Sequence, residues 1–79
     1  MRTERCGLYL IYAGAAVLPG RKWQPRLTMA RATSDREPPS RQQAFPGLPG
    51  AFDTSDAATR YALELGRELA REHSSRLRV

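Results

Sequence analysis

The 79-residue chain has one cysteine, one histidine and one lysine, and these scarcities exclude a good deal. A lone Cys6 leaves no internal disulfide and no cysteine-built metal cluster. Cys6 and His73 would make a nucleophile pair only by joining a chain end to a helix end, so they read as a free thiol and a solvated imidazole. Paired catalytic carboxylates, a Gly-rich phosphate loop and metal-ligand spacing are all missing. The glycines of "LPGR" and "GLPGA" belong to turns, and the Glu64–Glu68–Glu72 row reads as a solvated helix face. The composition therefore predicts no enzyme, no cofactor, no metal and no small-molecule ligand.

Long apolar runs are also missing. The longest, "CGLYLIYAGAAVL" after "MRTER", is too short to span a bilayer. It resembles the basic and apolar regions of a signal peptide, but it holds two tyrosines and runs straight into Pro-Gly-Arg-Lys. Removing it would also strip the chain of its first expected strand. The preferred reading is a cytoplasmic protein with no membrane association. So short a chain buries only about 60% of its unfolded surface, which allows one small domain with a marginal core.

Positive charge is what the chain has in excess. The formal net charge is +5, carried by twelve arginines and Lys22. Within 21–41, Arg21, Lys22, Arg26, Arg31, Arg36 and Arg41 outnumber Asp35 and Glu37. Over 53–73 the balance reverses, with Asp53, Asp56, Glu64, Glu68 and Glu72 against Arg60, Arg67 and Arg71. An anionic partner should therefore meet the middle of the chain.

Residues 1–6 read as a disordered terminus ahead of a domain over 7–73. Residues 8–18, "LYLIYAGAAVL", read as a strand, with a bulge or bend hinted at by Gly14. "LPGR" is a turn, with Pro19 and Gly20 supplying the backbone angles it needs. In "KWQPRLTMA", Trp23, Pro25, Leu27 and Met29 alternate with Gln24, Arg26, Thr28 and Ala30, the period of a half-buried strand. Pro25 cannot donate a ladder hydrogen bond, which predicts a bulge or a free edge there. Residues 31–41 read as a mobile loop. A few residues of edge strand are expected around 42–45 or 50–52, with an irregular turn between them.

A helix follows, capped by Thr54 and favoured by Asp56 near its positive dipole end. Ala58, Tyr61, Ala62, Leu65 and Leu69 form its apolar stripe, with Leu63 outside it. Gly66 costs about 1 kcal/mol in a helix interior, tolerable where the helix passes close to a strand. Residues 74–79 form a basic tail. The expected fold is α+β: a three-stranded antiparallel meander with a C-terminal helix on one face, its entry pinned by Phe52.

"KW" opening the second strand, a polar loop, and "GAFDTSDAA" opening the helix resemble the DNA-binding domain of plant ethylene-response factors. The integrase N-terminal domains of phages and transposons share that fold. The plant family's Gly-Thr-Phe-Asp-Thr and following alanines correspond to Gly50, Ala51, Phe52, Asp53, Thr54, Asp56, Ala57 and Ala58. The resemblance covers residues 20–65 and implies a sheet that contacts DNA. Three positions depart from it. Strand 8–18 lacks the family's arginines, Leu48-Pro49-Gly50 replaces Trp-Leu-Gly, and the family's helix tyrosine falls at Ala62. The chain also resembles small bacterial proteins that join a Trp-bearing hairpin to an "ALELGR" helix and carry no assigned function.

Two functions follow. One is DNA or RNA binding by the exposed sheet face and basic segment, through Arg21, Lys22, Gln24, Arg26, Thr28, Arg31, Arg36 and Arg41. The other is self-association as a homodimer through strand 8–18, which is apolar on both faces.

Overall fold

The computed structural model describes residues 2–31, 42–45, 48–72 and 77. The fold is α+β. An antiparallel sheet is covered on one face by a single C-terminal helix. The sheet runs in sequence order through β1 (Arg2–Cys6), β2 (Tyr9–Leu18), β3 (Lys22–Arg31) and β4 (Gln42–Phe45), and the helix α1 spans Ser55–Arg71.

The sheet thus has four strands rather than three, because the first six residues supply one. Arg2–Cys6 pairs with Tyr9–Ala13 around a tight turn in which Gly7 takes a positive φ. Two anchors hold β1 where composition predicts disorder. Glu4 reaches the helix to meet Arg67, and Cys6 packs against the core. The expected mobile loop at 31–41, apart from Arg31, lies outside the described residues, as does the basic tail apart from Leu77.

β2 and β3 pair without interruption from Tyr9↔Arg31 to Leu18↔Lys22, so the bulge expected at Gly14 is not there. The connecting turn uses left-handed backbone at Gly20 (φ 83°) and again at Arg21 (φ 59°), a conformation a side chain tolerates less well. The expected third strand appears as β4 and as an isolated bridge. Trp23 and Phe52 exchange backbone hydrogen bonds of 2.8 and 2.9 Å. This bridge lies on the side of β3 away from β2. By two-residue alternation the nitrogen of Pro25 faces the same way, into the gap between Phe52 and β4. The proline therefore falls where the ladder asks for no donor.

The helix starts as expected, with Thr54 accepting a 3.1 Å hydrogen bond from Ala57 N and Asp56 in the first turn. Its buried face is rotated from the expected one. Ala58, Ala62, Gly66 and Ala70, spaced four apart, form a ridge of small residues facing the sheet, flanked by Leu63 and Leu69. Tyr61 is exposed and leans on Phe52 with ring centroids 5.5 Å apart, while Leu65 is only half-buried. Helix and sheet approach closely at Gly66, and close approach selects small residues over aromatic ones. Large side chains come instead from the sheet. Tyr9, Ile11, Ala13, Leu27 and Met29 fill the core, and Phe45 and Leu48 close it.

Candidate nucleic-acid interface

The register sorts every strand residue onto one of two faces. Arg2, Glu4 and Cys6 lie on the helix side, with Tyr9, Ile11 and Ala13 of β2 and Trp23, Pro25, Leu27 and Met29 of β3. Among the described residues the opposite face carries no helix, although Ala30 on it is fully buried. It presents Thr3 and Arg5 from β1, then Leu10, Tyr12, Gly14 and Ala16 from β2. Gln24, Arg26, Thr28 and Ala30 follow from β3, and Gln42 and Ala44 from β4.

This open face has a definite chemistry. Its central row is Thr3–Tyr12–Thr28–Ala44, one residue from each strand. The neighbouring row pairs Gly14 with Arg26. Beside Tyr12 and Gly14 the surface holds a depression of about 470 Å³. Its lining includes Tyr12, Gly14, Gln24, Arg26, Thr28 and Ala44. Arg26 is exposed and Tyr12 and Thr28 are half-buried. The charged strand positions of this face are Arg5, Lys22 and Arg26. The carboxylate on the strands, Glu4, points to the helix.

Of the residues expected to bind, Gln24, Arg26 and Thr28 gather on this face as alternation predicts. Gln24 Nε2 donates a 3.4 Å hydrogen bond to Leu48 O, which holds the amide at the rim. Lys22 is engaged elsewhere, since its ammonium contacts the Asp53 carboxylate and holds that carboxyl below its ordinary value of 3.8. The pair is solvent-exposed and therefore weak, but it draws the ammonium toward Asp53. Arg21 sits in the turn, and Arg31, opposite Tyr9, falls in the helix-side row at the strand end. Arg36 and Arg41 lie outside the described residues.

Arg5, Tyr12 and Gly14 are additions that the sequence reading did not connect. Alternation in "RTERC" would have placed Arg5 opposite Glu4, but only the pairing of β1 with β2 brings Arg5 onto the same face as Arg26.

On the helix side, Arg67 Nη2 donates to Glu4 Oε1 at 2.7 Å, and Arg67 Nη1 donates to Glu64 Oε1 at 2.8 Å. The bidentate guanidinium holds the Glu4 carboxyl below its ordinary value of 4.5, and the two carboxylates raise the pKa of Arg67. These groups tie β1 to the helix and are structural. A second hollow of about 370 Å³ lies where Arg2, Ala15, Ser55, Asp56, Thr59 and Arg60 meet. Among the described residues no group of three or more His, Cys, Asp or Glu side chains is placed to hold a metal ion, and no helix is long and apolar enough to cross a membrane.

No protein-family model, curated protein or solved structure matches this chain.

Proposed function

We propose that this protein is a non-catalytic nucleic-acid-binding module whose contact surface is the open face of the sheet. One observation carries the reading. The face turned away from the helix bears cationic and hydrogen-bonding side chains, with Arg26 exposed, and among the described residues no strand carboxylate shares it. Arginine guanidinium groups suit phosphate, which they can grip with two parallel donors. Gln24 and Thr28 add neutral donors and acceptors beside Arg26.

Affinity should be largely electrostatic. In a fluorescence-anisotropy titration, log K should fall linearly with log salt, as counterions are released from the phosphates. Arg26→Ala should weaken binding and reduce that slope by about 1, the share of one phosphate contact. An Arg26→Ala variant with unchanged affinity and slope would remove the open face as the contact surface. The module is read as acting in the cytoplasm.

Self-association is a second reading, favoured by a different observation. β2 is hydrogen-bonded on both sides only as far as Ala13, where β1 begins at Arg2. Tyr9–Ala13 therefore cannot pair with another chain, and the role expected for the whole of 8–18 contracts to Gly14–Leu18. This edge has none of the charges or prolines with which sheet edges usually resist pairing, and Val17 on it is 67% exposed. Two copies joined there antiparallel would form a two-fold dimer with a continuous sheet. Sedimentation should show a concentration-dependent dimer that Val17→Lys abolishes. A monomer at all concentrations would eliminate it.

A further inference from the structure

The charge of the open face points to an anion, and its shape narrows which one. Three observations bear on this: how wide the sheet is around Tyr12, what lies beside Tyr12, and where Lys22 is engaged.

Tyr12 stands where all four strands run side by side. It is flanked by Thr3 of β1 and Thr28 of β3, with Ala44 of β4 beyond. Strands spaced at 4.7–4.9 Å put roughly 14 Å between the outer two backbones, before side chains are added. The major groove of B-form DNA is about 12 Å wide and admits a helix or a two-stranded ribbon. A four-stranded face cannot enter it. Tyr12 would reach no base edge in a duplex, whereas an unpaired base could come to the sheet.

The depression beside Tyr12 is made for something flat. Tyr12 and Gly14 line it together, and Arg26 stands across the ladder from Gly14. At about 470 Å³ the hollow lies within the ~300–1,000 Å³ typical of small-ligand sites, enough for one base and part of its sugar. The wall is mixed as such a ligand requires: an aromatic ring for stacking, the Gln24 amide and Thr28 hydroxyl for a base edge, and a guanidinium for the adjoining phosphate. At the narrower, two-stranded end, Lys22 is already committed to Asp53, which leaves that end poorer in charge for gripping a duplex.

We infer that the open face binds single-stranded nucleic acid, with one unpaired base seated in the Gly14 depression against Tyr12 and the strand's phosphates on Arg26. This rests on the proposal that the open face binds nucleic acid, and it names the form. Unpaired bases come both from a strand and from a free nucleotide, and the experiment separates the two sources.

The test is a titration of the whole chain at low salt with three probes: a fluorescent oligonucleotide of mixed sequence, the same sequence as a duplex, and a labelled mononucleotide. The oligonucleotide should bind at least 10-fold more tightly than either of the others. Tyr12→Ala should weaken it by about 5- to 150-fold, the range for losing one stacked base, while Tyr12→Phe, which keeps the ring, should bind nearly as wild type. Gly14→Val fills the hollow while keeping the tyrosine in the chain and should weaken binding to a similar degree. Circular dichroism and a cooperative thermal transition establish that each variant is folded.

Several results would overturn the inference: a duplex preference, a mononucleotide bound as well as the strand, or folded Tyr12→Ala and Gly14→Val variants that bind like wild type. The two levels fail differently. Arg26-dependent duplex binding without single-strand binding would spare the open face and sink the base seat. Absence of binding to all three probes would sink both.

Discussion

Gly66→Val is expected to destabilise the chain by about 3 kcal/mol or more. A Cβ at this position would lie 2.6 Å from Ile11 Cγ2, 3.1 Å from Leu27 Cδ1 and 3.3 Å from Ile11 Cγ1. Ile11 is fully buried and its Cγ2 is one bond from the strand's own Cβ, so it cannot swing away. The helix must rise from the sheet or the strand must bend, and either opens the core that Met29, Ala62 and Leu63 share with Ile11. Overpacking of this kind costs about 1–3 kcal/mol for small additions and more for a branched side chain. A 79-residue domain has on the order of 4–12 kcal/mol in all. Gly66→Ala sets two effects against each other. Alanine favours the helix by about 1 kcal/mol, but its methyl group meets the same Ile11 contact. We expect the clash to win, with a net loss of roughly 0.5–2 kcal/mol. Urea denaturation decides the matter: a Gly66→Ala midpoint above that of wild type would mean the helix does not sit this close to the strand.

That close approach also explains which parts of the molecule could be read in advance. The alternation of "KWQPRLTMA" gave both faces of β3 correctly, because a strand with one greasy side has only one register that buries it. The Thr54 cap and the anchoring by Phe52 were equally legible, since each depends on a few neighbouring residues. The helix stripe was not. Hydrophobicity centred it on Tyr61, whereas the contact distance centres it on Ala62 and Gly66, and no measure of greasiness favours glycine. β1 was hidden for a related reason: "RTERC" is polar and gains its place through a partner strand and the Glu4–Arg67 pair, both distant in sequence. The site followed the same division. Gln24, Arg26 and Thr28 came from one strand's period, while Arg5, Tyr12 and Gly14 joined them only through register between strands.

Removing residues 1–6 is expected to lower stability by several kcal/mol and to drive association. The deletion abolishes five residue pairs along β2 and leaves Arg67 without its bidentate carboxylate. It also takes Cys6 off the core. At a net 0.5–1.5 kcal/mol per hydrogen bond, the roughly four to six bonds of the lost ladder are worth about 2–9 kcal/mol. The second effect follows from what the deletion exposes. With β1 present, β2 lacks a second partner strand among the described residues only over Gly14–Leu18; without it that edge extends through Tyr9–Ala13 and becomes ten residues long. A long apolar edge is a template for pairing with other chains. Urea denaturation should show a lower midpoint, and light scattering should show association that grows with concentration. A deleted chain as stable and as monodisperse as the full one would mean that β1 contributes nothing to the sheet. The open face would then be three strands wide, and the width argument against duplex binding would lose its ground.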